Sequence, residues 1–177
     1  VVAVPTLNTY YAGQRWRASD VNSQVSSAQT WGFAAKVCKV QRTTTQSIND
    51  STVTAISFNL DVFDIGAWHD NSTNPERITP DLPGYYQVNG NAGFTSSATG
   101  TRRLYIMTQN GATLHAQSGI PGYVATGHVL PICVSALIYL DGATDVQLGV
   151  YQNSGGALTT SVTGIGPSTL SVQWVGT

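Results

Sequence analysis

Residues 128–142 read HVLPICVSALIYLDG, and a strand written this way has no side to show to water. Alternation along an extended chain puts Leu130, Ile132, Val134, Ala136, Ile138 and Leu140 on one face. Val129, Cys133, Leu137 and Tyr139 lie on the other, which is also largely apolar. In a two-layer β domain, one strand face meets the core and the other meets solvent. The second apolar face therefore needs a cover from elsewhere, and a subunit interface is the economical candidate.

The segments around this run read as strands too. In ISFNL (56–60), Ile56, Phe58 and Leu60 share a face. After Pro83-Gly84, the residues Tyr86, Val88, Gly90, Ala92 and Phe94 form a core-directed face, with Tyr85, Gln87, Asn89 and Asn91 opposite. RRLYIMT (102–108) leads into Asn110-Gly111, a strong hairpin signal. Val146, Leu148 and Val150 group together, as do Leu170, Val172 and Trp174. Turn dipeptides at Pro83-Gly84, Asn110-Gly111, Pro121-Gly122, Asp141-Gly142 and Gly155-Gly156 imply eight or more strands. An all-β sandwich or jelly roll is the expected fold.

Residues 1–33 differ. Ser19 or Asp20 is placed to cap a helix, and Val21, Val25 and Ala28 follow at helical spacing. Gly32 provides a stop, and Trp16 and Trp31 flank the segment. So narrow an apolar stripe does not hold a helix alone, so the segment is expected to pack on something else. The expected organisation is a docking segment over 1–33, carried by Trp16, Val21, Val25 and Trp31, and a β domain over 34–177.

Composition argues against several classes of function. Only 10% of the residues are charged and the net charge is −1, against roughly 25% charged in ordinary soluble domains. Nucleic-acid binding needs clustered Lys and Arg, and none is present. There is no polybasic stretch for anionic lipid and no apolar run long enough to span a membrane. The opening VVAVPTLNTYYAGQ lacks the basic-then-apolar pattern of a secretory signal, so none is expected. Cys38 and Cys133 read as buried thiols. Their pairing stays open, because strands distant in sequence can be neighbours in a jelly roll.

From about residue 35, the order of elements resembles the trimeric jelly roll of the complement-one-q and tumour-necrosis-factor superfamily. ISFNLDVFD (56–64), RITPDLPGYYQV (77–88) and VSALIYLDGATDVQLGVYQ (134–152) carry the likeness, and LSVQWV (170–175) is similar to the family's last strand. The resemblance implies a homotrimer without cofactor, with Tyr85, Tyr105, Leu137, Tyr139 and Tyr151 at its interface or core. The N-terminal part departs from the animal members, which carry collagen repeats or a membrane stalk. YAGQRWRASDVNSQV (11–25) is similar instead to the opening of many virion proteins of tailed bacteriophages. That likeness implies a protein made in the host cytoplasm and carried on the outer surface of the particle. Residues 1–33 would then dock it to a capsid or tail protein.

A chemical site is not expected. Asp61, Asp64, His69, Asp70 and Glu76 lie close in sequence and include residue types that hold calcium or zinc. However, Asp61 and Asp64, three apart on an extended chain, should project to opposite faces, and no established ligand spacing occurs. No metal is therefore assigned. His69, His115 and His128 have no G-x-S-x-G elbow to pair with, and acids are too few to favour a glycosidase pair, so no catalytic residue is assigned. Arg102-Arg103 reads either as a contact for an acidic glycan or as an exposed strand start. Trp68, His69 and Tyr123 are the candidate contacts to bacterial cell-wall glycan, since an exposed indole stacks on a sugar face; the alternative for Trp68 is packing at the sandwich rim. The function expected is a non-enzymatic phage surface knob whose loops meet the host. Its rival is a purely architectural capsid or tail decoration.

Overall fold

One helix and eleven strands form over residues 17–33, 36–124, 129–162 and 166–176, which the computed structural model describes. The chain divides into two units, residues 1–36 and 37–177. In the first, α1 (Ala18–Phe33) starts ahead of the expected cap. The Arg17 carbonyl accepts from the N–H groups of Asp20 and Val21, so Ser19 and Asp20 sit in the first turn. There the Asp20 carboxylate faces the positive end of the helix dipole. Gly32 lies inside the helix instead of stopping it. Val21 is half-buried and Val25 exposed, whereas Trp16 and the Trp31 side chain fall outside the described residues.

The second unit opens with β1 (Val37–Arg42), β2 (Ser47–Ile48), β3 (Thr54–Ala55) and β4 (Leu60–Asp64). The long strands β5 (Pro83–Gly93), β6 (Ser97–Thr108), β7 (Thr113–Tyr123) and β8 (Pro131–Asp141) follow. β9 (Val146–Gln152), β10 (Leu158–Thr159) and β11 (Ser168–Gly176) complete it. A five-stranded antiparallel sheet, β4-β1-β11-β5-β8, lies against a four-stranded one, β3-β9-β6-β7, with β10 and β2 as a small ribbon. The strand order is non-sequential, so each sheet is assembled from distant parts of the chain.

Alternation decides the core. Tyr86, Val88, Ala92 and Phe94 of the β5 segment are buried, as are Ile132, Val134, Ile138 and Leu140 of β8. They meet Leu104 and Ile106 of β6 and Val146, Leu148 and Val150 of β9 across the sandwich. Gly90 lets the sheets close: a Cβ there would stand 2.5 Å from Leu148 Cδ1. On β8 the second apolar face is open in the single chain, with Leu137 63% and Tyr139 59% exposed.

Two local expectations need correction. Leu60 does not join Ile56 and Phe58 in the core; it is 44% exposed, because residues 56–59 are not part of a strand and β4 starts with Leu60 facing out. Pro121-Gly122 is not a turn but part of β7. β7 is an edge strand, where a missing N–H costs no ladder bond. The β6–β7 hairpin turns where Asn110-Gly111 implies, at residues 109–112, and Gln109, Asn110 and Gly111 all take left-handed backbone angles.

The β8–β9 turn gives a pH prediction. Asp141 accepts from the Ala143 and Thr144 N–H groups at 3.0 and 2.8 Å, and these bonds hold its carboxyl below the usual range. A depressed carboxyl stabilises the fold above the unfolded value of about 3.9 and loses that contribution as pH falls through the folded value. Between about pH 5 and about pH 2.5 the natural protein should lose more melting temperature than Asp141→Asn, which does not titrate. Equal losses in scanning calorimetry would remove Asp141 from the acid response.

Candidate functional site

The acids expected to diverge on β4 converge. Val40 pairs with Asp61 and Lys39 with Phe63, leaving Val62 as the extra residue of a β-bulge. Asp61 therefore stands opposite the buried Val40, and Asp64 opposite the buried Cys38. Directly opposed residues in an antiparallel pair project to the same side, so both carboxylates face inward. One inserted residue reverses what plain alternation implies.

Both acids organise the loop that follows. Asp64 accepts the backbone N–H of Trp68 at 3.0 Å and that of His69 at 2.9 Å. It also stands opposite the Cys38 thiol, which burial first and the neighbouring carboxylates second push far above its ordinary range. Asp61 meets His69 Nδ1 at 2.7 Å and accepts from the Asn71 amide at 2.9 Å. His69 Nε2 reaches the Pro75 carbonyl at 3.0 Å, and because a carbonyl only accepts, Nε2 must donate. The His69 side chain is fully buried, with Phe58 edge-on to its ring. Both ring nitrogens are occupied, so neither is left to activate a nucleophile.

Trp68 is not the exposed indole needed for sugar stacking. It is 4% exposed, its Nε1 donates to Asp81 at 2.8 Å, and its ring meets Tyr86 edge-on with centroids 5.7 Å apart. The chain is bent to place it there. Ala67 has a left-handed φ of 54°, and a Cβ on Gly66 would come within 2.3 Å of the indole. Trp68 and His69 are thus buried structural residues, and as receptor contacts both are withdrawn. Tyr123 is half-buried; its hydroxyl donates to the Phe94 carbonyl at 2.7 Å and accepts from the Leu130 N–H.

The other acids of this stretch disperse. Asp70 is exposed and accepts from Ser72 and Thr73 N–H groups, which lowers its pKa. Glu76 pairs with Arg77 at 3.0 Å. Among the described residues, no group of three or more His, Cys, Asp and Glu is arranged to hold a metal ion. His115 is exposed and bonds Thr108 Oγ1 at 2.8 Å, and His128 lies outside the described residues. No described helix is long and apolar enough to cross a membrane.

The two cysteines cannot meet within one chain. Cys38 points inward from β1 and Cys133 is exposed on β8, with β11 and β5 between the two strands. The free outer face of the five-stranded sheet is the more distinctive surface. Its centre is polar: the register aligns Lys39, Ser171, Asn89 and Ser135 in one row. Ser135 Oγ donates to Asn89 Oδ1 at 2.9 Å, and the Gln87 amide donates to Ser135 at 2.8 Å. Along the β8 edge the face is apolar, with Leu137 beside an edge-on Tyr85–Tyr139 pair whose centroids lie 5.5 Å apart. At the opposite edge Leu60, Val62 and Phe63 are 44, 45 and 41% exposed.

Tyr105 and Tyr151 do not share this face. Arg103 pairs with Tyr151 and Tyr105 with Gly149, on the outer side of the four-stranded sheet. Tyr105 is buried there, and Tyr151 lies under the Arg103 guanidinium with Cζ 5.8 Å from its centroid. One contact surface cannot include all five residues named from the resemblance. The sequence offered no means to separate them, because face assignment needs the strand pairing.

No protein-family model and no curated protein matches this sequence. Solved structures do. The globular domain of zebrafish complement 1qA aligns with a TM-score of 0.55 at 12% identity, covering 79% of this chain and 97% of that one. Eiger TNF from S. frugiperda gives 0.58 at 10% identity over 80% and 93% of the two chains. Murine APRIL gives 0.57 at 12% identity over 80% and 99%. At such identities the likeness is one of architecture, and the β domain is a jelly roll of the C1q/TNF-like kind.

Proposed function

We propose that this chain is a non-enzymatic structural subunit that forms a homotrimeric knob through the outer face of its five-stranded sheet. The observation that carries the reading is the pair of apolar strips at opposite edges of that face, one at Leu60, Val62 and Phe63, the other at Tyr85, Leu137 and Tyr139. Four strand spacings, about 19 Å, separate them. Two different strips cannot both be covered by a twofold contact of either strip with itself. A head-to-tail contact that seats one strip on the neighbour's other strip covers both, and it makes a ring where the rotation between subunits closes. C1q/TNF-like domains are typically trimeric, which gives the ring its size.

The virion setting rests on the opening residues 11–25, which are similar to those of phage virion proteins. In this reading the knob stands on the outside of the particle, docked to a capsid or tail protein by residues 1–33, and is made in the host cytoplasm. Host-surface contact would come from the exposed parts of the jelly roll. Burial of Trp68 and His69 removes two of the residues offered for that contact and favours the architectural form.

Light scattering on the intact chain tests the assembly. Three times the 18.7 kDa chain mass is the expected result. The same stoichiometry in a fragment starting at residue 34 would assign the helix to docking, and a trimer only when residues 1–33 are present would move oligomerisation to them. A monomer in both would sink the reading.

A further inference from the structure

The paired arginines at 102 and 103 have opposite fates. Arg102 is fully buried, and its guanidinium donates to the carbonyls of Ser97, Thr99 and Thr101 at 2.9–3.1 Å. It thereby pins the irregular start of β6, where the register with β7 shifts between Ser97 and Thr101. Arg103 is consequently turned to the outside of the four-stranded sheet. Its guanidinium rests over Tyr151, which restricts the freedom a long surface side chain usually has. Among the described residues, no carboxylate pairs with it and no hydrogen bond takes its N–H groups.

This cation stands in a groove of about 490 Å³. Directly across the ladder is Gly119, so the groove has no side chain where β7 passes Arg103. A Cβ there would lie 3.0 Å from Arg103 Cγ and 2.8 Å from the Arg102 carbonyl. On the Arg103 side of the ladder, Thr101 and Gln117 supply a hydroxyl and an amide and Pro121 an apolar edge, whereas Ser118 and Ile120, opposite Leu104 and Arg102, turn to the core; the lining contains no acid. A guanidinium fork matches a carboxylate with two parallel bonds. The neutral hydroxyl of Thr101 and amide of Gln117 match ring hydroxyls, and Pro121 suits the C–H face of a sugar. An open groove of this kind takes a segment of a chain better than an enclosed small molecule.

We propose that the Arg103 groove binds a carboxylate-bearing saccharide, with Arg103 on the carboxylate and Gln117 and Thr101 on hydroxyls. The site uses residues of one chain and does not rest on trimer formation. In the proposed knob it remains free, because the assembly face belongs to the other sheet.

The test is a titration of the full ¹⁵N-labelled chain with tri-galacturonate, followed by NMR. The neutral galactose trisaccharide, acetate and poly-glutamate serve as parallel probes. Saturable shifts at Arg103, Gln117 and Tyr151 are expected with the uronate, with the neutral sugar weaker by about tenfold or more. Arg103→Gln should lose about tenfold or more, and Arg103→Lys should fall between, since it keeps the charge but not the fork. Both variants alter an exposed side chain, and unchanged circular dichroism would confirm that they fold. Absence of shifts at these residues with the uronate overturns the proposal, as does binding that survives Arg103→Gln. Acetate or poly-glutamate binding as tightly as the uronate would overturn the saccharide assignment in favour of a bare anion site or an acidic peptide. A trimer that fails to bind refutes this site alone, and a monomer that binds refutes the assembly alone.

Discussion

Asp64→Ala is expected to destabilise the domain by about 3–5 kcal/mol, a large share of the about 5–15 kcal/mol that holds a typical domain together. The carboxylate accepts two backbone N–H groups, those of Trp68 and His69. Alanine leaves these donors without a partner, in a region where the His69 side chain is fully buried. An unsatisfied buried donor costs about 1–3 kcal/mol, and here two stand side by side. The loss would also spread. Trp68 and His69 together carry the loop over the core, through Asp81, Tyr86, Asp61 and the Pro75 carbonyl. Asp64→Asn should cost about half as much, because the amide oxygen still accepts while its NH₂ faces donors. Urea unfolding of the three proteins gives the ranking. A shift below about 1 kcal/mol for Asp64→Ala would mean that the loop is held without it.

The same residues show where sequence reasoning stops. Period-2 alternation is a local property, and it identified the core faces of the β5 and β8 segments because each strand is regular over many residues. It failed on β4, where a single bulged residue, Val62, flips everything beyond it. Nothing in LDVFD marks the bulge, since it is specified by pairing with β1 and by the loop that Asp61 and Asp64 must reach. Trp68 stays open between a sugar contact and rim packing for a related reason. A Trp in a polar, Gly-containing stretch reads as exposed, and its burial depends on Asp81 and Tyr86, more than ten residues onward. The open apolar face of β8 was legible because it needed no partner to define it. Its counterpart on β4 was not, because Leu60 alternates in register with the buried Ile56 and Phe58 and nothing in the local pattern marks Phe63 as outward. The Arg102-Arg103 pair had two readings, and the fold divides them: one residue is an internal pin, the other a free cation on the surface.

The double substitution Leu137→Asp with Tyr139→Asp should convert the proposed trimer to 18.7 kDa monomers at micromolar concentration. Both side chains point away from the core and are more than half exposed in the single chain, so the fold loses little when they change. In the assembly each would be covered by the neighbour's strip. Burying an unpaired carboxylate costs several kcal/mol, and a ring of three contacts would carry that penalty at every one. Leu60, Val62 and Phe63 are all neutral, and the one cation beside that strip, Lys39 opposite Phe63, could offset at most one of the two carboxylates introduced on each subunit. Leu114→Asp is the control, because Leu114 is 53% exposed but lies on β7 of the opposite sheet, and it should leave the mass unchanged. Light scattering with circular dichroism separates the outcomes. A folded monomer places the contact on the five-stranded sheet. A trimer of undiminished mass would show that this face is not the interface, and the second apolar side of β8 would then need a partner other than a copy of the chain.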